Sequence, residues 1–148
     1  IVGDALGSPI QFSSKNNHPW ITEMEYCSVF NVPAGFWTDD GSMAMCIMDS
    51  FVRKSGYDLN DVAATFVKWL KEGYLSSIEG RAFDIGNATF ASLSKFSETG
   101  SLVNGEESSQ GNGSIMRLAP SYIVSRSLNR PEIVREVSDV THASSRVR

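Results

Sequence analysis

Three consecutive oxygen-bearing side chains, Thr38, Asp39 and Asp40, are the strongest local signal for chemistry in the sequence. Two adjacent carboxylates and a hydroxyl supply hard oxygen atoms, which Mg²⁺ and Ca²⁺ prefer as ligands. The same residues precede a helical pattern, so they are also typical of an N-cap followed by acids in the first helical turn. By spacing alone the capping interpretation is the commoner one, and a metal site is the alternative.

The segment Gly111-Asn112-Gly113-Ser114, which precedes an apolar run, is a second candidate site. Glycine lets the backbone approach a ligand closely, and a helix N-terminus presents free N–H groups to an anion such as phosphate. An ordinary glycine turn with Ser114 as N-cap explains the same pattern, because a lone Gly-x-Gly is weak evidence for a ligand.

Single residues add weaker signals. His142 follows Thr141 near a predicted helix end, where it is either structural or a partner for a phosphate or ribose oxygen. Asp4 lies among small residues and is equally consistent with capping and with a role in the site. Trp37, next to the acids, either packs in the core or lines a ligand pocket.

The acids are positioned by a helix that follows Asp40. Apolar residues recur every four positions in one stripe, Met43, Ile47 and Phe51, and a second stripe lies beside it at Ala44, Met48 and Val52. Two adjacent stripes predict a wide and deeply buried apolar face.

The rest of the chain also has mainly helical periodicity. Helices are predicted over about 60–72, capped by Asp58 or Asn60, and over 84–98. A fourth helix is expected from Ser114 with Pro120 kinking or ending it, and a last helix from Pro131 with Asn129 as a possible cap. Strand-like alternation is scarce, with only 26–30 as a weak candidate. The sequence therefore predicts an all-α domain.

Composition limits the function classes. The 148 residues are 41% apolar, enough for one domain with a core. Thirteen basic and seventeen acidic residues give a net charge of −4, which disfavours nucleic acid as a partner. The apolar runs are shorter than the ~20 residues of a membrane span, so no membrane partner is expected. Two cysteines are too few for a disulfide scaffold, and we expect an intracellular, cytoplasmic protein.

Taken in order, the motifs resemble those of the ADP-ribosylglycohydrolase family. Each is ordinary alone, but the ordered set is specific and spans nearly the whole chain; its pieces are Gly3-Asp4-Ala5-Leu6-Gly7-Ser8-Pro9, Trp37-Thr38-Asp39-Asp40-Gly41-Ser42-Met43-Ala44, Phe83-Asp84-Ile85-Gly86, Gly111-Asn112-Gly113-Ser114-Ile115-Met116-Arg117-Leu118-Ala119-Pro120 and Thr141-His142. The resemblance implies a compact orthogonal multi-helix domain with two Mg²⁺ ions, or Mn²⁺, in a cleft. It implies a hydrolase that removes ADP-ribose from modified protein side chains or small conjugates by cleaving the glycosidic bond at the ribose.

The resemblance also implies roles for particular residues. Thr38, Asp39 and Asp40 would be metal ligands, with both acids in the catalytic centre. The diphosphate and ribose would be held by a loop made of Gly111, Asn112, Gly113 and Ser114. His142 would contact the ADP-ribose, and residues 83–86, ending at Gly86, would border the pocket.

Two departures from the family pattern affect these expectations. Gln11 stands where active branches commonly have Glu, and an amide cannot take up a proton as a carboxylate does, although it can orient a water or the ligand. A later Asp-x-Asp-Thr-type metal segment does not follow His142, so we expect residues 1–148 to be the N-terminal part of a single domain, incomplete at its C-terminus. Two alternatives therefore stay open: a catalytically inactive relative that binds ADP-ribose or is structural and crystallin-like, and a different Mg²⁺-dependent phosphoester enzyme.

Overall fold

A computed structural model describes residues 1–14, 17–18 and 20–146, and within these ranges it contains six α-helices and no β-strand. The helices are α1 (Val2–Gly7), α2 (Asp39–Lys54), α3 (Leu59–Glu72), α4 (Asn87–Thr99), α5 (Ala119–Leu128) and α6 (Glu132–Asp139). Single 3₁₀ turns cover Ser8–Ile10 and Ile115–Arg117. The all-α prediction is confirmed. The weak strand candidate at 26–30 contributes only an isolated bridge between Cys27 and Val32.

The main hydrophobic core lies where α2, α3, α4 and α6 meet. Each helix contributes side chains that the periodicity placed on its inner face, and Cys46 and Ala63 join them. The full set is Met43, Cys46, Ile47, Phe51, Val62, Ala63, Phe66, Trp69, Leu93, Ile133, Val137 and Val140. A smaller cluster of Cys27, Val32 and Phe83 packs beneath the loops. Burying these side chains supplies the main driving force that orders the helices around the candidate site.

The prediction of a wide buried face on α2 is wrong in part. The stripe of Met43, Ile47 and Phe51 is buried, but Met48 is 42% exposed and Val52 is 78% exposed. Helix α3 covers one side of α2, and the second stripe faces away from it.

The ends of α3 follow their local signals. The Asp58 carboxylate accepts a hydrogen bond from the Asp61 backbone N–H at 3.1 Å, so Asp58 rather than Asn60 is the cap. At the other end Gly73 has φ +66°, and a Cβ there would lie 2.1 Å from the Arg81 backbone nitrogen. Only glycine accommodates both the left-handed conformation and this close approach.

Two predicted helix starts and one predicted cap are wrong. Helix α4 begins at Asn87 rather than Asp84, because Asp84 has φ +57° and lies in the preceding turn. The helix expected from Ser114 is a short 3₁₀ turn, and Pro120 lies in the first turn of α5 rather than ending a helix. Asn129 ends α5 in the left-handed conformation, φ +52°, instead of capping α6.

None of the helices among the described residues is long and apolar enough to cross a membrane. Cys27 and Cys46 are both buried and both carry free thiols. Pro19, Val147 and Arg148 lie outside the described residues, so the chain end itself is not described.

Candidate active site

Asp4 in α1 holds the first turn of α2. Its Oδ1 accepts a hydrogen bond from the Thr38 hydroxyl at 2.8 Å. Its Oδ2 accepts from the backbone N–H groups of Thr38 at 3.0 Å and Gly41 at 2.8 Å. Thr38 occupies the N-cap position, but the capping oxygens come from Asp4 in another helix. The capping interpretation of Asp4 is therefore confirmed, and the cap places Asp4 beside the two candidate metal-binding acids.

Gly41 makes room for this arrangement. A Cβ on Gly41 would lie 2.9 Å from Asp4 Oδ2 and 2.8 Å from Trp37 Cδ1. Trp37 is half-buried and donates its indole N–H to the Leu75 carbonyl at 3.3 Å. Trp37 thus covers the first turn of α2 beside the acids and lies outside the main core cluster.

Four carboxylates form an acidic cluster, which we define as Asp4, Asp39, Asp40 and Asp84. Asp39 is buried, and its pKa is raised to about 8 by burial and then by the negative charges of Asp84, Asp40 and Asp4. Burial also raises the pKa of Asp40 and of Asp84. Like charges that are partly withdrawn from water repel one another, and a bound cation would relieve that repulsion.

Gln11 joins the acidic cluster through its amide. Its Nε2 donates a hydrogen bond to Asp84 Oδ2 at 2.7 Å. The left-handed backbone at Asp84 is part of the turn that brings its carboxylate to Gln11. The structure thus brings together Gln11, the acids at the start of α2 and part of the 83–86 segment. Gly86 itself is exposed at the N-cap of α4, and its predicted binding role stays a prediction.

The donor set has the right chemistry for Mg²⁺ but is not a closed site. The carboxylates of Asp4, Asp39 and Asp40 and the hydroxyl of Thr38 offer hard oxygen atoms at the start of α2. In the part of the chain that the structure describes, no group of three His, Cys, Asp or Glu side chains is arranged to hold a metal ion. A surface cleft lined in part by Asp4, Gln11, Thr38 and Asp40 leads to these oxygens.

The second half of the site is the glycine loop, residues 111–114, against His142. A Cβ built on Gly113 would lie 3.1 Å from His142 Nε2, and one on Gly111 would lie 3.8 Å from it. The loop and His142, which are 28 or more positions apart in the sequence, are therefore neighbours, and their predicted binding roles stay predictions. Ser114 is buried and its hydroxyl accepts a hydrogen bond from Ser138 at 2.8 Å, so this side chain anchors the loop to α6.

Sequence reasoning missed Asn104 and Gly105, which support the chain around His142. The Asn104 N–H donates to the Asp139 carbonyl at 2.9 Å, and the Asn104 carbonyl accepts from Ala143 at 3.0 Å. Gly105 has φ +113°, and a Cβ there would lie 2.8 Å from the Ala143 nitrogen. An Asn-Gly pair inside a polar loop was the available signal, because it is typical of positive φ.

Arg117 was also missed. Its side chain is fully buried. Its Nη2 donates a hydrogen bond to Thr141 Oγ1 at 2.5 Å. Its Nη1 lies 3.6 Å from Met43 Sδ, and its guanidinium carbon lies 4.9 Å from the centroid of the Phe66 ring. Burial lowers its pKa to about 10. Because Met43 follows Asp39 by one helical turn, this buried cation lies between the acidic end of α2 and the segment that carries His142.

Comparisons with known proteins give the family. The family model described as ADP-ribosylglycohydrolase matches residues 1–148. The ADP-ribosylarginine hydrolase Tri1 of Pseudomonas putida (strain GB-1) is 39% identical over 127 residues, which are 84% of this chain and 34% of that protein. The ADP-ribosyl-[dinitrogen reductase] glycohydrolase of Rhodospirillum rubrum is 27% identical over 131 residues, 82% of this chain and 40% of that protein.

A solved structure agrees with these relatives. A chain of an ADP-ribosylglycohydrolase-related protein complex superposes with a TM-score of 0.79 at 31% identity, covering 99% of this chain and 47% of that chain. The present chain thus spans between about a third and a half of the lengths of the proteins it matches. On the match of the family model to every residue, the chain belongs to the ADP-ribosylglycohydrolase family.

Proposed function

We propose that the protein carrying this chain hydrolyses the glycosidic bond between ADP-ribose and a modified side chain or small conjugate. The observation that supports this most directly is the pairing of the glycine loop with His142, joined by Arg117 to the end of α2 that carries Asp39 and Asp40. In a member of this family, that pairing supplies a binding region for a diphosphate next to a region able to hold a cation.

An ADP-ribosylated arginine in a protein is the first substrate to test. Relatives named ADP-ribosylarginine hydrolase are 39% and 35% identical to this chain, and a third relative is named as a glycohydrolase of ADP-ribosyl-dinitrogen reductase. Serine-linked and small-molecule conjugates are the alternatives that an assay must include.

We assign Thr38, Asp39 and Asp40 as ligands of Mg²⁺, or Mn²⁺, with two ions expected. Burial, and after it the negative charges of Asp84, Asp40 and Asp4, raises the pKa of Asp39, and a bound cation would offset both effects at this place. When bound, the ions supply positive charge that orients the ribose hydroxyls and acidifies a water. Asp4 keeps Thr38 in place through its hydrogen bonds to the hydroxyl and the backbone N–H.

Gln11 does not serve as a general base in this proposal. Its amide nitrogen donates to Asp84, which leaves the amide oxygen to orient a water or a ribose hydroxyl. A proton released at the reacting centre is therefore accepted by one of the carboxylates rather than by residue 11.

The glycine loop and His142 hold the diphosphate. Backbone N–H groups and one imidazole N–H bind phosphate oxygens through local dipoles, so a chain with a net charge of −4 can bind an anion without a basic surface.

Release of free ADP-ribose from an ADP-ribosylated arginine peptide, with and without Mg²⁺, tests the proposal. Asp39→Asn and Asp40→Asn should each lower the Mg²⁺-stimulated rate by roughly a hundredfold or more, because each removes a ligand charge. Asp49→Asn is the matched control, since Asp49 lies in α2 and pairs with Arg53. Equal rates in all three variants, or no stimulation by Mg²⁺, would contradict the assignment.

A catalytically inactive relative that binds ADP-ribose is a second candidate. It is favoured by Gln11, whose amide donates to Asp84 and cannot take up a proton as a carboxylate does. Calorimetric titration separates the two functions, because binding of ADP-ribose without turnover of any conjugate supports the binding protein.

A further inference from the structure

A chain of buried hydrogen bonds runs from Arg117 to His142. Arg117 Nη2 lies 2.5 Å from Thr141 Oγ1, and Thr141 Oγ1 lies 2.6 Å from His142 Nδ1. Arg117 and Thr141 are fully buried, and His142 is 4% exposed. Water therefore does not compete for the hydroxyl between the two charged or ionisable side chains.

The direction of each bond follows from the number of hydrogens available. A guanidinium has donors but no acceptor, so Arg117 must donate to Thr141 Oγ1. The Thr141 hydroxyl then has one proton to place, and His142 Nδ1 is its acceptor at hydrogen-bond distance in this buried environment. If Nδ1 carried a proton instead, the hydroxyl would accept twice and its own proton would be buried without an acceptor, which is costly.

We propose that Arg117 and Thr141 are positioning residues that hold His142 as the neutral tautomer with its proton on Nε2, aimed at the glycine loop as a donor to a ligand oxygen. The first part of this inference concerns the chain alone. The second part, the ligand oxygen, rests on the proposed function.

The glycine loop is shaped for this donor. A Cβ on Gly113 would lie 3.1 Å from Nε2, and one on Gly111 would lie 3.8 Å from it. Because glycine has no Cβ, Nε2 of the imidazole faces the exposed backbone of the loop. Among the described residues, the hydrogen bonds of His142 involve Nδ1 and the backbone and leave Nε2 without a protein acceptor. An anion bound on the loop would supply the missing acceptor.

The pKa of His142 agrees with the neutral tautomer that the hydrogen bonds indicate. Burial and then the positive charge of Arg117 lower the pKa of His142 to about 4. The imidazole is therefore neutral at physiological pH and contributes a directed N–H rather than a charge.

Long-range ¹H–¹⁵N correlation spectra of the histidine rings at neutral pH test the tautomer directly. The chain has two histidines, and the exposed His18 provides an internal comparison. We expect His142 to show a protonated Nε2 and an unprotonated Nδ1. A protonated Nδ1, or the average of the two tautomers, would overturn the inference.

Three variants identify the residue that sets the tautomer. Thr141→Val removes the hydroxyl and should give Nδ1–H or a mixture, whereas Thr141→Ser keeps the hydroxyl and should keep the tautomer. Ser92→Ala is the control for packing, since the Ser92 hydroxyl donates to the Thr141 carbonyl, at 3.1 Å, and not to the Thr141 hydroxyl. An unchanged tautomer in Thr141→Val contradicts the role of Thr141, and if that variant does not fold, the wild-type and Thr141→Ser spectra still decide the question.

Titration with ADP-ribose separates this inference from the proposed function. Thr141→Val should weaken binding roughly tenfold or more relative to Ser92→Ala, because the donor no longer faces the ligand. The expected tautomer together with no binding of ADP-ribose in wild type would support the positioning chain and contradict the proposed function. Equal affinities of Thr141→Val and Ser92→Ala would contradict the donor role of Nε2.

Discussion

Gln11 and Asp84, which are 73 residues apart in the sequence, are joined by a hydrogen bond of 2.7 Å from the Gln11 amide to an Asp84 carboxylate oxygen. Burial raises the pKa of Asp84, and the hydrogen bond from Gln11 lowers it by a smaller amount. The amide therefore partly offsets the repulsion between Asp84 and the other acids of the cluster. A carboxylate at position 11 would have the opposite effect.

Gln11→Glu should therefore destabilise the metal-free chain and increase its response to Mg²⁺. A fifth carboxylate replaces a hydrogen-bond donor, which we expect to cost roughly 1–3 kcal/mol in the free energy of unfolding without a cation. Thermal denaturation in a chelator and in Mg²⁺ measures both effects. Gln110→Glu in the exposed loop is the matched control, and an equal response of the two variants to Mg²⁺ would contradict the idea that residue 11 faces a cation site.

Asp4→Ala should destabilise the fold more than removal of an ordinary helix cap. Asp4 accepts hydrogen bonds from the Thr38 hydroxyl and from the N–H groups of Thr38 and Gly41, whereas Asp58 accepts one backbone bond in α3. We expect a loss of about 2–3 kcal/mol for Asp4→Ala and about 1 kcal/mol for Asp58→Ala. Urea denaturation compares the two, and a larger loss in Asp58→Ala would show that the contact between α1 and α2 contributes little.

The sequence predicted those elements whose signals are local. The buried stripe of α2 and the ends of α3 and α4 at Gly73 and Gly100 follow from apolar periodicity and from glycine in the left-handed conformation. The exposure of Val52 could not be predicted, because periodicity shows which residues share a face and does not show what covers that face.

The contacts that link distant segments could not be predicted for a different reason. Asp4 caps α2 by a hydrogen bond from Thr38, which lies 34 residues later in the chain, and such a contact has no signature in the local sequence. Arginine is nearly always exposed, so burial of Arg117 was unexpected. The binding role expected of both the glycine loop and His142 came from the resemblance to a known family, since neither segment alone indicated the other.

Stability should fall in acid through His142. The pKa of His142 is lowered to about 4 in the folded chain from 6.5, because burial and Arg117 disfavour the charged ring. As pH falls from about 6.5 to 4, the unfolded chain takes up a proton that the folded chain does not, so stability is lost across this window and is fully present above it. This difference in proton uptake lowers the free energy of unfolding by roughly 1–3 kcal/mol across the window.

His142→Asn isolates this effect from the other titrating groups. The difference in the free energy of unfolding between wild type and the variant should shrink from pH 7 to pH 4, as measured by urea denaturation at each pH. A difference that stays constant across the window would mean that His142 titrates alike in the folded and unfolded chain.

Gly113→Ala should impair ligand binding while leaving the fold nearly intact. The new methyl would lie 3.1 Å from His142 Nε2 and 3.4 Å from Cε1, so the ring must shift by a few tenths of an ångström and the methyl would occupy the space in front of its N–H. We expect the affinity for ADP-ribose to fall roughly tenfold, with less than about 1 kcal/mol lost in stability. Gly56→Ala is the matched control, because Gly56 lies between α2 and α3 and a Cβ there would meet nothing within 4 Å. Calorimetric titration of both variants decides the matter: equal affinities would show that the ligand does not lie between Gly113 and the imidazole.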